Sequence, residues 1–242
     1  MSILVGLLKS VGRWFESSPR RSNVQMWPFQ FKKQELKEIE VVKGIGHYQE
    51  FENKLLNRSL IALIIGRRGS GKTALGMKFL EMAKNKTKRK IYAIGFVKSK
   101  LPLFINKIEN IEKIKPDSVV LVDEAALLFS AREPMKNTNK LLTQMMAIAR
   151  HKNLSLIFVT QNSAFIDINV LRLADSLFLK EPSLLQSNFE RKFLNNFYKN
   201  INFSKYAEKE KYFYVYSDDF QGMAKFDLPT FWNESVSKAF RK

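Results

Sequence analysis

The amino-acid sequence predicts an α/β fold: a central, mostly parallel sheet with helices on both faces. Three observations carry that prediction. Five short runs, at 61–65, 90–95, 118–122, 154–160 and 176–179, are largely apolar rather than alternating, as strands covered on both faces are. The stretches between them are long enough for the helical crossovers that parallel strands require. Hydrophobic residues make up 45% of the 242, enough for a substantial core and too many for a chain disordered throughout.

Taken in order, the chain begins with Leu4, Leu7, Leu8, Val11, Trp14 and Phe15 on one face of a helix, with Lys9 and Arg13 off it. Such an amphipathic helix packs on its own domain or a neighbouring subunit, or lies on a membrane surface. No small-residue cleavage site follows it, so it is a poor signal peptide. Residues 17–28 read as a linker. The expected organisation is an N-terminal helix and linker over 1–45, a core over 46–182 and a small α+β extension over 183–242. No apolar run approaches the roughly 20 residues that span a bilayer. Cysteine is absent, which excludes disulfides, thiolate zinc sites and thiol nucleophiles.

The first strand of the core, Ile61 to Ile65, runs into Gly66, Arg67, Arg68, Gly69, Ser70, Gly71, Lys72 and Thr73, followed by a helical pattern with Leu75, Phe79 and Leu80 on one side. This is G-x-x-x-x-G-K-[ST], the P-loop. Its glycines let successive backbone N–H groups turn inward on phosphates, and the following helix adds its positive N-terminal end. In that context Lys72 reaches the β and γ phosphates of ATP and the Thr73 hydroxyl binds Mg²⁺.

The strand at 118–122 delivers Asp123 and Glu124 at its carboxyl end, where open α/β sheets bind ligands. Asp123 is suited to hold the metal and Glu124 to activate water as a general base, a pair that favours hydrolysis over transfer to a metabolite. The strand at 154–160 ends in Thr160 and Gln161. A strand inserted between the P-loop strand and the acid-bearing strand marks the catalytic-glutamate division of P-loop ATPases, in which a polar residue such as Gln161 senses the γ-phosphate. His151, before this strand, reads as a solvated turn residue.

The extension carries a helical pattern at 184–199, a strand at 212–216, a turn at Asp218 and Asp219, a strand around 223–226 and a closing helix after Pro229. Tyr212, Tyr214 and Tyr216 alternate with Phe213 and Val215, forming either a base-stacking platform or the edge of a core. Against 23 Asp and Glu stand 41 Lys and Arg, a net charge of +18 that implies a polyanionic partner. Residues 61–115 alone hold 14 basic and three acidic residues. Codon bias toward lysine would spread evenly, so the clustering from Lys84 to Lys115 reads as a basic face for a nucleic-acid backbone.

Together these motifs resemble the FtsK/HerA superfamily of DNA-pumping ATPases: GRRGSGKT at 66–73, VVLVDEA at 119–125 and ARHKNLSLIFVTQN at 149–162. The stretches DEAALLFSAR and IDINVLRLAD are similar to the zonula occludens toxin-like ATPases of filamentous phages and to small packaging ATPases of membrane-containing and archaeal viruses. The resemblance implies a Mg²⁺-dependent ATPase, a homo-oligomeric ring and an arginine finger reaching a neighbour's nucleotide. Arg150 matches that place, with Arg132 the second candidate. It also implies sequence-independent, double-stranded DNA as partner and packaging of a viral genome into a capsid, in the host cytoplasm or on the virion. The toxin-like proteins usually carry a transmembrane segment after the ATPase region, whereas residues 183–242 are soluble in character. The alternative is a membrane-associated factor for virion assembly or extrusion, docked through residues 1–16.

Overall fold

The computed structural model describes residues 35–123, 145–161, 168–183, 192–233 and 236. The expected helix in residues 1–16, together with Glu124 and Arg132, lies outside them. The described residues contribute nine strands to one sheet: β1 (Glu40–Gly46), β2 (Leu60–Ile65), β3 (Lys90–Ile94), β4 (Ile105–Lys107), β5 (Ser118–Val122), β6 (Leu154–Thr160), β7 (Ser176–Leu179), β8 (Tyr212–Ser217) and β9 (Phe220–Lys225). Their order is β1-β9-β8-β7-β2-β6-β5-β3-β4. From β7 to β4 every neighbouring pair is parallel, and the tail side from β7 to β1 is antiparallel. All five strands expected of the core are present, and β6 lies between β2 and β5 as the additional-strand reading requires. The sheet takes strands from either side of residues 45 and 182.

Every residue of β2, β5, β6 and β7 is buried, which is why their sequences do not alternate. Neighbours in sequence still face opposite ways. Ala62 and Ile64 join one core with Phe51 and Leu55 of α1 (Tyr48–Asn57) and Leu75 and Phe79 of α2 (Lys72–Lys86). Ile61, Leu63 and Ile65 join a second core with Met145, Met146 and Ala149 of the helical residues 145–151 and Leu194 of α4 (Lys192–Asn200); α3 (Ile168–Leu173) precedes β7. Each such aliphatic side chain contributes roughly 1.5–3 kcal/mol by leaving water.

α2 matters most for the site, because its first residues are the end of the P-loop. A Cβ on Gly76 would stand 2.5 Å from Leu121 Cδ1, so glycine lets the helix lie directly on β5. Phe79 packs 4.8 Å from Phe178 between ring centroids. Further along, the buried Lys78 Nζ donates to Glu81 Oε2 at 2.7 Å, and Glu81 Oε1 accepts from Thr230 N at 2.6 Å and Thr230 Oγ1 at 2.5 Å. A buried ion pair holds only when its remaining lone pairs are satisfied, and here they tie the helix to the segment after Pro229.

In the tail, Phe213 and Val215 enter the α2 side of the core. Tyr212, Tyr214 and Tyr216 turn the other way and are covered: Tyr206 stacks on Tyr212 at 4.0 Å, and Phe197 lies 4.5 Å from Tyr216 and 6.4 Å from Tyr214. Of the two readings of this tyrosine row, the structure shows the edge of a core. Among the described residues no helix is long and apolar enough to cross a membrane.

Candidate nucleotide site

Register places the ends of four strands in a row. Ile65 pairs with Thr160 on one side and Leu179 on the other, and Val122 pairs with Phe158. Gly66, Asp123, Gln161 and Lys180, which follow those strands, therefore share one edge of the sheet. The turn after β2 curls as the P-loop sequence demands. Gly71, at the N-cap of α2, has φ +83°, a left-handed conformation that side chains rarely adopt, and a Cβ there would stand 2.6 Å from Glu210 O. A Cβ on Gly66 would stand 2.6 Å from Lys180 Cβ.

Inside the turn Lys72 is buried, and its Nζ donates to Arg67 O at 2.8 Å. The Thr73 hydroxyl donates to Asp123 Oδ2 at 3.2 Å, joining the two expected metal-binding residues across α2 and β5. Asp123 is 4% exposed. Ser70 Oγ is buried without a hydrogen-bond partner among the described residues, a hydroxyl presented inside the loop. An oxygen-rich pair held in contact, a buried lysine and an orphaned hydroxyl around an αL turn fit a triphosphate with Mg²⁺. Of the remaining loop residues, Arg67, Arg68 and Gly69 are exposed. Gln161 is exposed at the end of β6, next to this row.

Arg150 stands elsewhere. It lies at the start of β6, some 20 Å of strand away from Gln161 at about 3.3 Å per residue. There it lines a cavity of about 360 Å³ with Arg172, Asp175 and Asp218. Arg150 is therefore not among the residues gathered at its own chain's P-loop. His151 is exposed beside it.

Two residues that the sequence reading passed over stand against the P-loop. Lys180 is fully buried, donating from Nζ to Glu210 O at 2.5 Å and Tyr212 O at 2.7 Å, with the Phe226 ring centroid 4.8 Å away. Burial pushes its amine well below the ordinary value; Glu210 opposes that shift, Lys72 adds to it and Glu181 opposes it. Glu181 Oε2 accepts from Arg67 Nε at 3.1 Å and Nη2 at 2.7 Å, while Oε1 accepts from Lys209 at 2.9 Å. The signal was present: LFLKE at 177–181 repeats the form of VLVDE at 120–124, a buried strand ending in two charges.

The basic cluster resolves into two kinds of residue. Arg89 is an interior clamp, donating to Leu56 O at 2.9 Å, Ser155 Oγ at 2.6 Å, Ser118 O at 2.9 Å and Asn153 O. Burial lowers its guanidinium to about 10. Lys86 pairs with Glu38 and Glu52, and Lys107 with Glu109. By contrast Lys88, Lys90 and Lys115 are exposed around the starts of β3 and β5. The Lys90 amine is pushed below its ordinary value by a hydrogen bond and charge repulsion from Lys115.

Residues 75–179 match the zonular occludens toxin (Zot) family. Sequence comparison with curated proteins finds no match. Among solved structures, the genome-packaging NTPase B204 of Sulfolobus turreted icosahedral virus 2, in complex with AMPPCP, is 16% identical over 70% of this chain and 98% of its own, with a TM-score of 0.48. B204 of Sulfolobus turreted icosahedral virus, a DNA-packaging ATPase, is 18% identical over 70% of this chain and 98% of its own, at 0.47. The conjugation coupling protein TcpA of pCW3 is 14% identical over 70% of this chain and 60% of its own, at 0.46. At such scores these three likenesses carry no chemistry with them. Motif spacing and the position of β6 between β2 and β5 give the chain the fold of a P-loop NTPase with the additional strand, and over residues 75–179 it is similar to the Zot family.

Proposed function

We propose that the protein is a Mg²⁺-dependent ATPase motor that moves double-stranded DNA, packaging a viral genome into a capsid. The observation that carries the reading is the meeting of Lys72, Thr73 and Asp123 at one sheet edge, with Gln161 on the inserted strand beside them. In this reading the P-loop amides and Lys72 bind the β and γ phosphates, and Thr73 and Asp123 hold the metal. Mg²⁺ neutralises phosphate charge when bound. Glu124 takes a proton from the attacking water, Gln161 reports the γ-phosphate, and Arg150 completes the site of the next subunit in a homo-oligomeric ring. Exposed Lys88, Lys90 and Lys115 meet the DNA backbone at the edge away from the nucleotide. The mutual repulsion of Lys90 and Lys115 is relieved by a phosphate between them, so binding is indifferent to sequence and weakens steeply with salt.

Hydrolysis by the full chain tests the enzymatic half. Purified protein should release phosphate from ATP only with Mg²⁺, and Lys72→Ala should lose nucleotide binding together with turnover. Full turnover in Lys72→Ala would sink the assignment. The Zot match favours a second reading, a membrane-associated ATPase for virion assembly docked through residues 1–16. Liposome flotation of the full chain beside a version lacking those residues separates the two, since the DNA motor does not require the bilayer.

A further inference from the structure

This inference rests on the nucleotide-binding reading above. Lys180 and Glu181, consecutive residues after β7, grip the P-loop and a tail turn at once. The Lys180 amine pins the turn through Glu210 O and Tyr212 O. Glu210 O in turn abuts Gly71, the residue that caps α2, with no room for a Cβ between them. The Glu181 carboxylate then spans the remaining gap, one oxygen on the Arg67 fork of the P-loop and the other on Lys209 of the turn. We propose that Glu181 is a positioning residue of the nucleotide site, joining the P-loop to the turn at 208–212 so that nucleotide binding is transmitted to the β8–β9 hairpin.

Backbone supports the same linkage. Arg67 N donates to Glu181 O at 3.1 Å and Lys180 N to Ile65 O at 2.7 Å, so the chain after β7 runs alongside the entry to the P-loop as an extra length of ladder. Arg67 and Gly71, the two ends of the loop segment, are held against this ladder and the turn, so a shift of either on phosphate binding moves its neighbour. Burial pushes the Glu181 carboxyl up, but hydrogen bonds from Arg67 and Lys209 outweigh it and hold the group below its ordinary 4.5. The carboxylate is therefore charged at neutral pH, as the bridge requires.

The test uses the full chain, Mg-ADP titration calorimetry and hydrogen exchange, with Glu181→Gln, Lys209→Met and the double variant. Lys209 contacts the Glu181 oxygen that Arg67 does not use, so its effect reports the bridge. Each single variant should bind Mg-ADP about threefold more weakly, in keeping with a partly exposed ion pair, and the double no more weakly than the singles. Mg-ADP should slow exchange over residues 208–216 in the parent and not in the variants. Parent-like affinity and parent-like protection in a folded Lys209→Met would overturn the proposal, and that variant decides alone should Glu181→Gln not fold. A parent protein that binds no Mg-ADP overturns both this inference and the nucleotide reading, whereas tight binding with indifferent variants overturns this inference only.

Discussion

The two edges of the central sheet handle charge in opposite ways. Where β2, β5, β6 and β7 end, three charged groups are held inward, Lys72 at 6% exposure, Asp123 at 4% and Lys180 at 0%, beside the exposed Arg67 and Arg68 of the P-loop. Where β3, β5 and β6 begin, charge divides between interior ties and free surface. Arg89 binds the strand starts together, Asn153 Nδ2 donates to Asp117 Oδ1 at 2.7 Å, and both Asp117 and Asn153 take positive φ to make the entry turns. Lys88, Lys90 and Lys115 are left to solvent. Net charge alone does not separate the cations gathered at the P-loop from those left to solvent where the strands begin; only position does.

The comparison can be broken at each edge. The largest effect is expected between subunits: Arg150→Ala should slow ATP hydrolysis of the assembled protein about a thousandfold or more while leaving Mg-ATP binding intact, because one transition-state charge is lost. Steady-state turnover beside a binding titration checks it, and unchanged turnover in the assembled state refutes the finger. Next, Glu124→Gln should cost about a hundred- to ten-thousandfold in hydrolysis with binding retained, since the amide cannot accept the proton. A turnover rate close to the parent's would instead make the chain a nucleotide-dependent binding module.

At the opposite edge, Arg89→Met should destabilise the fold by about 3 kcal/mol, leaving several carbonyl groups without a donor. For a domain of this size that lowers the melting temperature by roughly 6–12 °C. Its DNA affinity should still fall with salt at the parental slope, and a reduced slope would put Arg89 on the DNA-binding surface after all. The smallest effect is expected from Lys88→Ala, Lys90→Ala and Lys115→Ala combined. This variant should melt like the parent, while the slope of log affinity against log salt falls by about one per lysine. An unaltered slope would move the DNA surface away from this edge.

How far the sequence alone reached follows the same division. β2 with its P-loop, β5 with Asp123, and β6 with Gln161 were legible because buried parallel strands have a distinctive run of apolar residues and ligand chemistry clusters at their carboxyl ends. β1 was not, since every one of its residues is exposed and no burial pattern develops at a sheet edge. α1 was legible in principle, with Tyr48, Phe51, Leu55 and Leu56 on one stripe. Arg89 was miscounted among surface charges because composition cannot distinguish a cation that binds carbonyls inside the fold from one in water. The role of Lys180 and Glu181 was hidden for another reason: their partners at 208–212 are some 30 residues away, and only the pairing of β8 onto β7 brings them together.

The central claim is that ATP turnover at one edge of the sheet serves DNA held at the other. ATP hydrolysis by the full chain, measured with and without double-stranded DNA of mixed sequence across a salt series, tests it most directly. The account predicts stimulation by DNA of any sequence, fading as salt rises, and needing a higher DNA concentration in the triple lysine variant. Turnover indifferent to DNA at every salt concentration would contradict it.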